Sequence, residues 1–258
     1  FNNSAGTIFF GGPDIPPKIY NQKNIHSKVT DPNRHYFELT FLFHLTGGYQ
    51  DESFIPYLEE NPEYFITGFC LGLQTMNVAA GGTLIQDIPA EIFGVESADA
   101  IVKAGRNNLH RNYWQELYED TLLTGANLHP IRFTKHPFFM EKVNIKKDIN
   151  PLVYSSHHQA IKELGKNLEV TALSNDEKII EAVSHKLYRN VFSVQFHPEV
   201  SALYYDAGQV KFHPDDLPNS FYEFLGKESM DFHKNLWKHI SRSIKKAVRV
   251  QKSRDHAT

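Results

Sequence analysis

Cys70 is the only thiol in the chain. It stands in Gly68-Phe69-Cys70-Leu71-Gly72, between an apolar run, Tyr64 to Phe69, and a stretch that continues to about Ala80. A strand, a small-residue turn and a departing helix would form an elbow that lifts the apex side chain above a sheet. Gly68 and Gly72 flank the apex at minus and plus two, where side chains would collide with a tight turn or with helix packing. A cysteine nucleophile reacts as its thiolate, and the free N–H groups at a helix start favour an anion. A lone cysteine more often fills a core gap; the glycine frame tips the reading to nucleophile. Such a nucleophile needs a base and a group to orient it. Among 14 histidines, His197 is singled out by Phe196-His197-Pro198-Glu199, just after a β-branched and aromatic run. Side chains at i and i+2 of extended backbone share a face, so Glu199 can hold one ring nitrogen while the other points outward. Pro198 fixes the backbone between them. Taken alone, His-Pro-Glu could equally be a strand-end turn.

Elements able to position these groups can be traced along the chain. Thr7 to Phe10 and Tyr64 to Phe69 read as strands, and His35 to Leu45 as a buried helix ending at Gly47-Gly48. Asp51 to Glu60 suits a short amphipathic helix, and Ala98 to Leu123 carries Leu109, Tyr113, Leu117 and Leu122 at helical spacing. Leu152 to Tyr154, Leu168 to Leu173, Ile179 to Val183 and Val191 to Phe196 are further strands. Phe232, Leu236, Ile240, Ile244 and Val248 mark one face of a terminal helix. Strands alternating with helices predict an α/β fold with a largely parallel sheet.

Composition narrows the classes. The 258 residues are 41% hydrophobic, with 19 Phe and 12 Tyr, enough to fill a substantial core and to exclude disorder. No run reaches the roughly 18 apolar residues of a membrane span, and a net charge of -3 gives no reason for a nucleic-acid surface. One cysteine forms no intrachain disulfide and no four-cysteine zinc site. Ser241 to Thr258 holds Arg242, Lys245, Lys246, Arg249, Lys252 and Arg254 against Asp255. This run reads as a solvated helix end complementing the dipole rather than a surface for an anionic partner.

Joined together, Gly-Phe-Cys-Leu-Gly-Leu-Gln (68–74) and Phe-His-Pro-Glu (196–199) resemble the class I glutamine amidotransferases, and within them the free-standing γ-glutamyl hydrolases. Three more blocks follow the family order: Gly11-Gly12-Pro13-Asp14 to Tyr20, Asn77 to Ile88, and Ser155-Ser156-His157-His158-Gln159-Ala160-Ile161. The resemblance covers about residues 7 to 200. It implies one domain over 1–258: a three-layer, flavodoxin-like α/β fold with a mostly parallel central sheet, and a helical extension over about 220–250. The strand–helix units that usually precede the glycine loop are absent from this chain. Phe1 is not an initiator Met, so a processed or longer protein, and a signal peptide upstream, stay open. Tyr154 stands where the family often has Asn, Asp176-Glu177 replaces a frequent Asp-Gly turn, and Val200 to Asn219 is longer than the family leads one to expect.

The implied chemistry is attack by Cys70 on a γ-glutamyl amide, a thioester, and hydrolysis assisted by His197 and Glu199. Acyl transfer needs oxyanion donors. The Leu71 N–H is one candidate, and Gly11 or Gly12, which permit close backbone approach, are the other. Gln74 lies one turn past Cys70 and could face the same pocket, with a helix-surface position as the alternative. Ser155, Ser156, His157 and His158 are implied to bind the substrate head. The His157–His158 pair lacks HExxH or a comparable third-ligand spacing, so no metal and no cofactor is expected. The expected partner is a small γ-glutamyl substrate, with no nucleic acid, no membrane, no obligatory synthetase and a homodimer left open. A cytoplasmic location is expected, with secretion or the lysosome open because the true N-terminus is not visible. A glutaminase subunit feeding ammonia to a separate synthetase, and an idle γ-glutamyl-binding module, are the alternatives.

Overall fold

The structure, a computed structural model, describes residues 1–48, 51, 53–146, 148–206 and 208–255. Glu52, Ala207 and residues 256–258, which fall within expectations given above, lie outside the described residues. The strands are β1 (Gly6–Phe9), β2 (Phe65–Phe69), β3 (Thr83–Ile85), β4 (Asn127–Phe133), β5 (Leu152–Ser155), β6 (Ala160–Glu163), β7 (Leu168–Ser174), β8 (Ile180–His185) and β9 (Val191–Val194). The α-helices are α1 (Pro32–Thr46), α2 (Tyr57–Glu60), α3 (Leu71–Ala79), α4 (Ala98–Ile101) and α5 (Phe221–Asp255), the last broken at Gly226.

Seven strands form the central sheet in the order β1-β2-β9-β8-β7-β4-β5, with β3 and β6 paired separately. The α/β class holds, but the sheet is mixed. Only β1–β2 and β2–β9 are parallel; the ladders β9–β8, β8–β7, β7–β4 and β4–β5 are antiparallel. The short links between β7 and β8 and between β8 and β9 leave no room for the helical crossover that parallel neighbours need.

Alternation in β2 explains the layering. Ile66 joins a core with Leu42 and Leu45 of α1 and Leu73 and Met76 of α3. Phe65 and Phe69 point to the opposite face, into a core with Phe192, Phe196 and, from α5, Phe232, Leu236 and Ile240. The sheet thus lies between α1/α3 and α5. Helix α1 starts where the Asp31 carboxylate accepts from the Arg34 N–H at 3.1 Å with Pro32 at the first turn, and stops at Gly47, φ 75°.

Three expectations are corrected. Helix α1 is buried on one face only, since Tyr36 and Phe37 are exposed. The segment from Asp51 makes one helical turn, Tyr57–Glu60, because Pro56 pushes Ile55 out of helical backbone. Ala98 to Leu123 forms α4 and short 3-10 turns instead of a helix. Gly105 at φ 81° ends the first piece, and the Asn112 amide is drawn to the Phe212 carbonyl. Strands β3, β4 and β6 were not read from the sequence. No described helix is long and apolar enough to cross a membrane.

Candidate active site

Cys70 and His197 are delivered by the C-terminal ends of two adjacent parallel strands, β2 and β9. The Cys70 N–H donates to the Val194 carbonyl at 3.0 Å, continuing the β2–β9 ladder one residue past the strand. Cys70 then turns at φ 53°, ψ -107°, and α3 begins at Leu71. The glycines act as the spacing suggested. A Cβ on Gly68 would lie 2.5 Å from the Gly72 carbonyl carbon, and one on Gly72 would lie 2.4 Å from the Phe9 carbonyl oxygen. Both obstacles are backbone, so neither can move aside cheaply.

His197 is oriented from both sides. Its Nδ1 and Glu199 Oε1 are 2.7 Å apart, and its backbone N–H donates to the Tyr154 carbonyl at 2.9 Å. Burial disfavours the imidazolium, but hydrogen bonding to Cys70 and Glu199 and their nearby charges outweigh it, and the pKa is pushed up to about 10. The Pro198 carbonyl accepts from Tyr204 Oη at 2.7 Å and from Trp237 Nε1 at 3.0 Å. The long segment after Glu199 and helix α5 therefore brace the His-Pro-Glu turn. Tyr204 serves this brace, whereas Tyr205 is exposed.

Gly11 closes the site on a third side. A Cβ there would fall 2.7 Å from His197 Cε1 and 3.7 Å from Cys70 Cβ. Arg34 donates to the carbonyls of both Phe10 and Gly11, at 2.9 and 3.2 Å. In a trans peptide the N–H points opposite to the C=O, so the N–H groups of Gly11 and Gly12 are both turned away from Arg34. Arg34 was not anticipated; its signal was a helix-start arginine three residues past the Asp31 cap.

The remaining candidates divide. His158 spans two acidic residues, with Nε2 within 3.1 Å of Asp14 and Nδ1 3.1 Å from Asp87. Burial opposes its charge, yet the two carboxylates prevail and raise its pKa to about 9. It ties the glycine loop to the segment after α3. Ser156 is exposed. Gln74 is buried rather than at the helix surface, and its Nε2 donates to the Gln159 carbonyl at 3.2 Å and to Gln195 Oε1 at 3.3 Å. Ser155 and His157 are also buried. Ser155 Oγ lies 2.9 Å from His129 Nε2, and His157 Nδ1 lies 2.8 Å from the Gln159 carbonyl. These two belong to a buried group with His110, His129 and Glu181, residues that nothing in the local sequence marked.

An elbow cysteine facing a His–Glu pair at the strand ends of an α/β sheet is the arrangement implied by the class I glutamine amidotransferase-like superfamily. Within it, the chain belongs to the Peptidase C26 family, which matches residues 2–199. That family and its relatives make it a hydrolase of the amidotransferase class. One relative, named as a glutamine amidotransferase-like protein of Rickettsia prowazekii, is 28% identical over 75% of this chain and 70% of its own length. Another of that description, from Lactococcus lactis, is 30% identical over 74% of this chain and 64% of its own. The chain thus spans about two thirds of the length of these relatives. Among solved structures, a glutamine amidotransferase from Thermotoga maritima aligns with 81% of this chain and 69% of its own, at 11% identity and a TM-score of 0.41.

Proposed function

We propose that the protein hydrolyses γ-glutamyl amide bonds through a γ-glutamyl thioester on Cys70, releasing an amine and then glutamate. The observation that carries this reading is the elbow itself: a buried cysteine at φ 53° meeting an imidazole that Glu199 holds at 2.7 Å. Cys70 Sγ attacks the amide carbonyl, and the oxyanion forms against the Leu71 and Gly11–Gly12 N–H groups. His197, which holds its proton at neutral pH, gives it to the departing amine. The neutral ring then takes a proton from water, which attacks the thioester and frees glutamate. Glu199 keeps the ring in the tautomer that both steps need.

The γ-glutamyl head carries an amine and a carboxylate that require fixed polar partners. The loop from Gly11 to Asp14 and the block from Ser155 to Gln159 are joined by His158, which supports a rigid head pocket. The leaving amine lies outside it, so selection is strict for a free γ-glutamyl group and looser for the amine. Small amines such as γ-aminobutyrate come first, with folyl polyglutamates behind. The test is a panel of γ-glutamyl amides, their α-glutamyl isomers and free glutamine. Cleavage of the γ-linked compounds alone is expected; equal rates on α-linked isomers would refute the head-group assignment. Ammonia release from glutamine only after a synthetase is added would make the chain a glutaminase subunit.

A further inference from the structure

We propose that His110, His129, His157 and Glu181 form a closed binding site for one divalent transition-metal ion, with zinc the best match. One ligand atom from each of the four lies within 4.8 Å of the others. They come from β4, β8, the loop after α4 and the segment before β6, so no spacing along the chain reveals them. Three imidazoles and a carboxylate are the ligand types that zinc takes in four-coordinate sites.

The state of the polar atoms argues for a cation. All four side chains are at most 4% exposed. His110 Nε2, His157 Nε2 and Glu181 Oε2 lack a hydrogen-bond partner, and His110 Nδ1 and Glu181 Oε1 face each other without a well-aligned bond. Buried polar atoms are nearly always satisfied, and three orphans around one poorly aligned pair demand an explanation. A shared proton would satisfy one donor and one acceptor; a metal ion would engage all four side chains. His110 Nδ1 is already 3.1 Å from Glu181 Oε1, and His129 Nε2 is 3.7 Å from the same oxygen.

The surroundings match the outer shell of a metal site. His157 Nδ1 faces the Gln159 carbonyl at 2.8 Å and His129 Nδ1 faces the Pro130 carbonyl at 3.3 Å. An N–H donated there leaves the Nε2 lone pairs pointing inward, the usual way in which ligating histidines are oriented. Ser155 Oγ lies 2.9 Å from His129 Nε2, a contact the ion would replace. A tetrahedral zinc with bonds near 2.0–2.1 Å sets ligand atoms roughly 3.4 Å apart, so loading draws the four groups together. With four ligands from the protein, each at most 4% exposed, the role is structural. The ion would pin the segment that carries His158 and Gln159 to strands β4 and β8.

The experiment is a metal titration of the whole chain after chelator treatment, first with Co2+ and then with Zn2+. About one tightly held equivalent per chain is expected, with an intense four-coordinate Co2+ spectrum that Zn2+ abolishes. The melting temperature should rise as the site fills. Glu181→Gln and His110→Gln should each weaken binding by more than about tenfold. Should those variants fail to fold, the wild-type titration decides alone: no saturable Co2+ spectrum and no change in melting temperature would overturn the proposal. Undiminished binding in folded Glu181→Gln would overturn it too, by placing the ion on surface histidines.

Discussion

Cys70 holds backbone angles that an L-residue seldom adopts, φ 53° and ψ -107°, and such strain persists only where the surroundings impose it. Replacing the thiol therefore tests two things at once. Cys70→Ala should abolish turnover and labelling by an electrophilic glutamine analogue, and full activity in that variant would sink the mechanism. Cys70→Gly should be equally inactive but more stable than Cys70→Ala by about 1–2 kcal/mol, read by urea denaturation; the reverse order would show that the elbow is unstrained. At His197, alanine should lower kcat by roughly a thousandfold or more. Glu199→Gln should cost less, because an amide oxygen still accepts from Nδ1. If His157→Ala or His158→Ala matched the His197 loss, the base would be misassigned. These three residues were legible in the sequence because each sits inside a short motif whose local geometry is set by its neighbours. His158 was read as binding the substrate head and its clamp was missed, since its partners Asp14 and Asp87 lie far off along the chain and only the fold brings them to it.

Elements meet at side chains that two segments share, and pH can loosen one such joint. The folded pKa of His158 is raised to about 9, against about 6.5 for an unperturbed histidine. Its contribution to stability is complete below about 6.5 and is lost as pH rises through about 9. Thermal melts from pH 6 to 10 should show the wild-type advantage over His158→Gln shrinking across that window. A constant gap would mean that the clamp does not depend on charge. The turn at His197 offers a second joint. Tyr204→Phe removes one of the two donors to the Pro198 carbonyl and should destabilise the fold by about 1 kcal/mol, with kcat falling more than KM changes. The elements with one dominant pattern were readable: β2, α3, β9 and the apolar stripe of α5. Residues 98–123 were not. Their apolar spacing mimics a helix, yet Leu109 and Tyr113 are buried while Leu122 is exposed, so the spacing describes no single face once Gly105 breaks the chain.

Across the whole molecule, two helical layers share one sheet, and the α5 side carries the aromatic half of the core. Leu236 is fully buried among Phe65, Phe69, Phe192 and Phe196. Leu236→Ala should cost about 2–5 kcal/mol, measurable as a lower urea midpoint; a change below about 0.5 kcal/mol would mean that α5 is not part of the cooperative fold. The α/β class followed from alternating strands and helices, but the mixed sheet did not. Strand direction depends on connections, and the links from β7 to β9 show their shortness only once the strand ends are known. The same helix gives the molecule an optical handle. The chain has two tryptophans, and Trp237 donates its indole N–H to the Pro198 carbonyl, one residue from His197, with its ring 6.0 Å from that of Phe69. In a Trp114→Phe background its emission becomes a single-site reporter on the turn that carries His197. The acyl group proposed to form and decay on Cys70 would then be followed as fluorescence, in real time and on unlabelled protein.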